Sequence, residues 1–157
     1  MKVMIISVVA LGLFFFTGCT LPGSRPLLVA KSDIIVALWF NKIERIEIIC
    51  LPTRVETLTA VTPEMLDTQY EFKLIVMDAT FSGIGRELLE AAKAERFTPS
   101  AADADYRWGC LFYDGKSDRV AVIYLAGWGR GAMVNGSTMA SSGKLIKRLH
   151  QICSGFR

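Results

Sequence analysis

The sequence predicts an α+β domain, an antiparallel sheet with a C-terminal meander and two main helices packed on one face. Three observations lead to this prediction. Short segments alternate apolar and polar residues, two longer segments carry apolar residues at helical spacing, and an Asp-Gly turn separates two strand-like segments. Because strands and helices occur in blocks, without regular βαβ repetition, an antiparallel sheet is favoured.

The first two segments of the domain are rich in apolar residues. Asp33–Phe40 is a dense apolar run, consistent with a strand or a short buried helix. Lys42–Leu51 alternates, with Ile46, Ile48 and Cys50 on one face. This alternation and the β-branched content predict a strand.

The next segments are predicted to be extended, helical and extended again. Thr53–Ala60 is rich in Thr and Val, which favours an extended piece. Thr62 and Pro63 suit the N-cap and the first position of a helix, and they predict a short helical turn through Asp67. Tyr70–Ala79 alternates and is predicted to form a strand.

An amphipathic helix is predicted over Gly83–Arg96, with Ser82 as its cap. Five residues follow helical spacing on one side, and four of the five are apolar: Ile84, Leu88, Ala91, Ala92 and Glu95. Phe97–Asp105 is predicted to be a polar loop.

The meander follows this loop. Tyr106–Tyr113 and Arg119–Leu125 are predicted strands, and the turn Asp114–Asp118 joins them as a hairpin. Gly127–Gly131 is a second tight connection, and Ala132–Asn135 begins a third strand.

A closing helix is predicted over Gly143–Ser154, with Ser142 as its cap. Its apolar stripe consists of Leu145, Leu149 and Ile152, and Lys144, Lys147 and Arg148 lie towards the solvent.

The front of the chain has the pattern of a secretory signal. Lys2 precedes an apolar run, Val3–Phe16, and small residues follow it. The run has roughly 14 residues, whereas a membrane-spanning helix needs about 20. A cleaved signal is therefore favoured over a permanent transmembrane helix.

The residues Phe16-Thr17-Gly18-Cys19 resemble the lipobox of bacterial lipoproteins, although Leu is usual where Phe16 stands. The resemblance covers residues 1–19 only. It implies that residues 1–18 are removed and that membrane lipid is attached through acylated Cys19, with palmitate-type chains. An ordinary secretory signal with a cysteine by chance, or an uncleaved membrane helix, are the alternatives.

The resemblance also predicts where the protein sits. Thr20, rather than Asp, follows the cysteine, which resembles the pattern of lipoproteins exported to the outer membrane of Gram-negative cells. We therefore expect a lipid-anchored protein of the cell envelope that faces the periplasm. Residues 19–32, rich in Pro, Gly and Ser, are predicted to be a flexible tether, and residues 33–157 a single domain.

Composition limits the partners of this domain. Without the signal, about 138 residues remain, enough for one domain with its own core. Removing Lys2 from the 18 basic residues leaves 17 against 15 acidic residues, a net charge of +2. Such a weak positive charge does not indicate nucleic acid binding.

Three cysteines remain after Cys19. An exported compartment permits disulfides, but an odd number leaves one thiol over. Cys50, Cys110 and Cys153 therefore form at most one bridge within the chain, or are three small buried hydrophobes.

Motifs for chemistry are weak, and no cofactor or metal is predicted. His150 and Cys153 share a helix face, but a closed zinc site needs about four ligands. Ser141 and Lys144 have Ser-x-x-Lys spacing without the companion motifs of penicillin-binding proteins. Gly143-Lys144 and Gly83-x-Gly85 lack the further residues of phosphate and dinucleotide loops. The paired loop carboxylates are expected to be solvated: Asp103, Asp105, Asp114 and Asp118.

Trp128 and Arg130 are the candidate partner-binding residues. Trp128 lies between two glycines in a predicted turn, and Trp and Arg are residue types that dominate interfaces. The alternative is that Trp128 folds back onto the sheet. We expect a non-enzymatic lipoprotein that binds a protein or envelope component, such as an assembly factor, an enzyme inhibitor or an immunity protein. A small hydrolase with a non-obvious site and a structural lipoprotein are the alternatives.

Overall fold

The computed structural model describes residue 38 and residues 42–79, 82–101, 104–128 and 130–154. Within these residues, seven strands form one antiparallel sheet and three helices pack against it, which confirms the predicted α+β class. The strands are β1 (Arg45–Cys50), β2 (Phe72–Met77), β3 (Phe97–Pro99), β4 (Tyr106–Tyr113), β5 (Arg119–Ala126), β6 (Gly131–Val134) and β7 (Ser137–Ser141). The helices are α1 (Pro63–Gln69), α2 (Gly83–Ala94) and α3 (Lys144–Ser154).

The strand order is β2-β1-β4-β5-β6-β7-β3. Strands β4 to β7 form the predicted meander and continue it by one strand, because β6 and β7 pair as a further hairpin. Strand β3 comes before the meander in the chain but pairs with β7 at the far edge, where Phe97 lies opposite Ser141.

The larger hydrophobic core lies between the sheet and helices α2 and α3, as predicted. Strand β1 contributes its alternating residues Ile46, Ile48 and Cys50 to this core. The helices contribute their apolar stripes, which are Leu88, Leu89 and Ala92 from α2 and Leu145, Leu149 and Ile152 from α3. An ion pair between Arg148 and Glu87 also joins the two helices.

The opposite face of the sheet carries a smaller core. Leu66 of α1 packs there with Ile49 of β1 and Leu111 of β4. Val61, at the end of the segment that leads from β1 to α1, is fully buried in the same cluster. This face is therefore covered by one short helix and an irregular segment rather than by two long helices.

Two predicted helix caps are confirmed. The hydroxyl oxygen of Thr62 accepts a hydrogen bond from the Met65 amide at 3.3 Å, and that of Ser82 accepts one from Gly85 at 2.9 Å. At Gly85, a Cβ atom would lie 2.3 Å from the carbonyl oxygen of Ala79, so the start of α2 packs against the chain leaving β2 at a distance that only glycine permits.

Several predicted elements need correction. Thr53–Ala60 forms turns and bends rather than an extended strand. The predicted loop Phe97–Asp105 contains strand β3, and the segment Ser137–Ser141, which had no assignment, is strand β7. Helix α1 continues through Gln69 instead of ending near Asp67.

The predicted signal, Cys19 and the tether lie outside the described residues. Of the apolar run at residues 33–40, only Leu38 is described, and it is helical and buried in the larger core. Among the described residues, no helix has the length and apolar character to cross a membrane.

Candidate functional site

The connection between β5 and β6 presents an exposed tryptophan. Trp128 is 75% exposed, and Arg130 is exposed beside it, so Trp128 does not fold back onto the sheet. The residue before it is held closely, because the Gly127 amide donates to the carbonyl of Asp105 at 3.0 Å. A Cβ atom on Gly127 would lie 2.5 Å from Cγ of Arg107. The backbone is thus fixed against the sheet immediately before the tryptophan leaves it.

A cavity of about 740 Å³ opens at the end of β1 and the start of β4. Its volume falls within the range of about 300 to 1,000 Å³ typical of small-molecule sites. Strands, helix α3 and the segment after β1 line it, through Cys50, Pro52, Thr53, Arg54, Glu71, Phe72, Trp108, His150 and Cys153. At its rim, Arg54 and Glu71 form an ion pair of 2.6 Å.

The structure brings His150 and Cys153 into this cavity together, as their helical spacing predicts. The imidazole of His150 meets the indole of Trp108 edge-on, with ring centroids 5.2 Å apart. Burial raises the pKa of the half-buried Cys153 thiol, so that the thiolate, the form that reacts or binds metals, is disfavoured at neutral pH. Among the described residues, no three or more His, Cys, Asp and Glu side chains are placed to hold a metal ion.

The three cysteines predicted as disulfide candidates are thiols. No disulfide joins Cys50, Cys110 and Cys153 in the part of the chain that is described. Cys50 and Cys110 are buried in the larger core on neighbouring strands, and Cys153 packs against that core from α3. Burial, together with the neighbouring Cys153, strongly raises the pKa of the Cys110 thiol. The structure therefore shows Cys50 and Cys110 as small buried hydrophobic groups and Cys153 as a half-buried thiol.

Glu95, the single polar member of the predicted α2 stripe, is a buried carboxylate at the start of α3. It is 4% exposed. Its oxygens accept hydrogen bonds from the amides of Gly143 at 3.0 Å and Leu145 at 2.6 Å. The hydroxyls of Ser141 and Ser142 donate to it as well, at 3.1 and 2.5 Å.

This carboxylate corrects the predicted cap of α3. Ser142 was expected to accept hydrogen bonds from the helix start, but its hydroxyl donates to Glu95 and accepts from the Arg96 amide at 3.3 Å. Burial alone would raise the pKa of Glu95, but the hydrogen bonds from Ser142, Leu145 and Ser141 outweigh burial and lower it. Glu95 is therefore an ionised helix cap supplied by another helix, and the Ser-x-x-Lys spacing reflects this structural role.

Arg107 is a second buried charge, 6% exposed, on the opposite face. Its Nε donates to Asp105 at 2.7 Å, and its Nη1 donates to the carbonyl of Val55 at 2.9 Å. Its Nη2 reaches the hydroxyl of Thr57 at 3.2 Å. Arg107 thereby fastens the irregular segment after β1 to the sheet.

Two of the predicted loop carboxylates, Asp105 and Asp114, have structural partners. Asp105 holds Arg107 and accepts from the Val61 amide at 2.8 Å. Asp114 accepts from the amides of Lys116 and Asp118 at 2.9 and 3.0 Å, which closes the β4–β5 hairpin. Asp103 lies outside the described residues.

A second cavity of about 450 Å³ lies beside α1. The hydroxyl of Tyr124 on β5 donates to Asp67 of α1 at 2.7 Å. Burial, and then this hydrogen bond, raise the pKa of Tyr124 far above its ordinary value of 10.0. Tyr124 therefore stays a hydrogen-bond donor that ties the helix to the sheet.

In comparisons with known proteins, no family model, curated protein or solved structure matches the chain.

Proposed function

We propose that this protein is a membrane-anchored lipoprotein of the cell envelope whose small domain binds a protein or an envelope component through Trp128 and Arg130. The observation that carries the proposal is the 75% exposure of Trp128. Large aromatic side chains are usually buried, and exposed Trp beside Arg is a composition typical of interface hot spots.

The state of the other polar groups supports binding rather than catalysis. The described thiols of Cys110 and Cys153 have raised pKa values, which keeps them protonated and weakly nucleophilic. The buried carboxylate of Glu95 is occupied by hydrogen bonds from the start of α3. The buried carboxylate of Glu95 is thus engaged in stabilising the fold, whereas the exposed side chain of Trp128 is not.

The binding proposal is tested by capture from an envelope extract. The bait is the chain from residue 20 onward, which contains every described element, and the retained components are identified by mass spectrometry and lipid analysis. We expect one dominant component, lost with Trp128→Ala and weakened with Arg130→Ala. Leu58→Ala is the matched control, because Leu58 is a fully exposed apolar side chain on another segment. Equal capture by the wild-type chain and Trp128→Ala would exclude this surface.

The anchor is tested separately, on the full chain expressed in a bacterium fed with labelled palmitate. We expect label on the wild-type chain and on Cys153→Ser, and none on Cys19→Ser. Unlabelled wild-type chain would refute the lipoprotein assignment while leaving the capture experiment interpretable.

A hydrolase is the second candidate, and the cavity that contains His150 and Cys153 is the observation in its favour. It requires a reactive thiol at Cys153. Alkylation by iodoacetamide at neutral pH distinguishes the two functions. Rapid modification of Cys153 that depends on His150 would favour the hydrolase, and slow modification that is unchanged in His150→Ala would favour the binding domain.

A further inference from the structure

Arg96 and Arg130 lie beside the end of β7, at the same end of the sheet as Trp128. The carbonyl of Arg130 accepts from the Ser141 amide at 2.7 Å, and the carbonyl of Arg96 accepts from the Ser142 amide at 3.0 Å. The two arginines therefore lie on either side of the end of β7. Both are exposed, and neither side chain forms an ion pair with a described residue.

Two lysines extend this positive surface. Lys144 and Lys147 lie one turn apart at the start of α3, both exposed and without an ion pair among the described residues. Cations at a helix start are opposed by the helix dipole, by about 0.3 to 1 kcal/mol each. Glu95 offsets this, but it is buried beneath the surface and its oxygens are occupied. We call Trp128, Arg130, Arg96, Lys144 and Lys147 the basic end.

The opposite end of the sheet carries charges of both signs, since Lys42 and Arg119 lie there and are ion-paired with Glu44 and Asp67. The β4–β5 turn there carries Asp114 and Asp118, with Lys116 between them. Asp78 follows β2 at the same end and is exposed. The cations at this end are thus balanced by nearby acidic side chains, whereas those of the basic end have no ion-pair partner among the described residues. A negatively charged surface would therefore orient the domain with the basic end inward.

We infer that the basic end docks on the surface of a bilayer that contains anionic phospholipids, with Trp128 in the headgroup layer and the four cations above it. Tryptophan is enriched at the boundary between hydrocarbon and water. Each cation near an anionic leaflet contributes roughly a fivefold gain in binding. The inference deepens the proposed function, since it names the partner of the Trp128 surface, and it rests on that function for the tether that keeps the domain near a membrane.

The test is co-sedimentation of the chain from residue 20 onward with phosphatidylcholine vesicles, with and without phosphatidylglycerol. We expect binding only to the anionic vesicles, and its loss at high salt, because salt screens exposed charges. Arg96→Gln and Arg130→Gln should each lower the partition coefficient about fivefold. Trp128→Ala should lower it roughly tenfold, since the ring loses its apolar contact with the lipid.

Lys116→Gln is the matched control, because Lys116 is an exposed cation without an ion pair among the described residues at the opposite end. It should bind as the wild-type chain does, and a thermal melt of each variant verifies that the fold is kept. No binding to anionic vesicles, or an equal loss with Lys116→Gln, would overturn the inference.

The outcome separates this inference from the proposed function. If the chain does not bind vesicles but captures a protein through Trp128, membrane docking is refuted and the proposed binding function is retained. A chain that docks on vesicles but takes up no palmitate retains the docking surface and loses the anchor.

Discussion

The two faces of the sheet are covered by different means, and each depends on one buried charge. On one face, helices α2 and α3 pack their apolar stripes, and the carboxylate of Glu95 joins the end of one helix to the start of the other. On the other face, an irregular segment and the short helix α1 cover the sheet, and the guanidinium of Arg107 holds the segment in place.

The difference shows that the sign of a buried charge depends on whether the segment covering that face lacks hydrogen-bond acceptors or donors. A helix start has amide groups without acceptors, and a carboxylate supplies acceptors only. An irregular segment has carbonyl groups without donors, and a guanidinium supplies donors only. Glu95 and Arg107 therefore satisfy complementary deficits on the two faces.

The largest expected effect is the loss of the Glu95 carboxylate. Glu95→Ala leaves the Leu145 amide and the Ser141 hydroxyl buried without their acceptor, and we expect it to lower the free energy of unfolding by about 3 kcal/mol. Denaturation by urea measures this. Glu90→Ala is the control, because Glu90 is an exposed carboxylate of α2 whose ion pair with Lys93 should contribute less than about 1 kcal/mol. Equal losses of unfolding free energy in the two variants would show that the Glu95 carboxylate contributes no more to stability than an exposed ion pair does.

Removing Arg107 should be somewhat less costly and local to the other face. Arg107→Met keeps an apolar stem but leaves the Val55 carbonyl and Oδ2 of Asp105 without their donor, and we expect a loss of about 2 kcal/mol. Hydrogen exchange should rise in residues 52–61 and stay unchanged in α3. Faster exchange in both regions would mean that the two faces are not separately held.

The two charges should also respond differently to acid. The pKa of Glu95 is lowered in the folded state, so its contribution is complete above the ordinary carboxyl value of 4.5 and is lost as the pH falls through the lower folded value. We expect stability to fall over this acid range as Glu95 becomes protonated. The fall should be smaller in Glu95→Gln, which does not titrate. An identical acid profile for the variant would assign the transition to other carboxylates.

The smallest effect is expected at the link between α1 and the sheet. Tyr124→Phe removes the hydrogen bond to Asp67, which remains close to Arg119, and should cost about 1 kcal/mol. Since the pKa of Tyr124 is raised on folding, the wild-type chain should also lose stability as the pH rises above 10.0, and the variant should lose less. Urea denaturation at neutral and alkaline pH measures both changes.

The sequence predicted the elements whose side chains alternate or follow a helical stripe. The alternation of Ile46, Ile48 and Cys50 located β1, because one face of that strand is fully buried. Strand β7 has no such contrast, since all its residues except Met139 are small or polar. The Asn135-Gly136 pair before it is its sequence signal, because both residues have positive φ and form the two-residue turn typical of a hairpin.

The contacts between distant segments were harder to predict. Glu95 interrupts an apolar helical stripe, and Arg107 interrupts an apolar strand. A charged residue at an otherwise apolar position was the only indication in the sequence that each side chain is buried with polar partners. Except for Asp105, their partners lie about 50 residues away in the chain, so spacing cannot identify them. The position of Trp128 between two glycines did indicate a turn, but exposure or burial of its ring depended on how Gly127 packs against Arg107.

The position of β3 has a consequence for the order in which the chain can fold. This strand is made before the meander, yet it pairs only with β7, and Glu95 beside it waits for the start of α3. Both partners are synthesised later than β3, after strands β4, β5 and β6. The residues before β3 can form helices and a hairpin by themselves, but the edge strand β3 and the buried carboxylate of Glu95 find their partners only after β7 and the start of α3 have been synthesised. Completion of the sheet at this edge therefore depends on β7, and the nascent chain remains incompletely folded until that strand and the start of α3 have been synthesised.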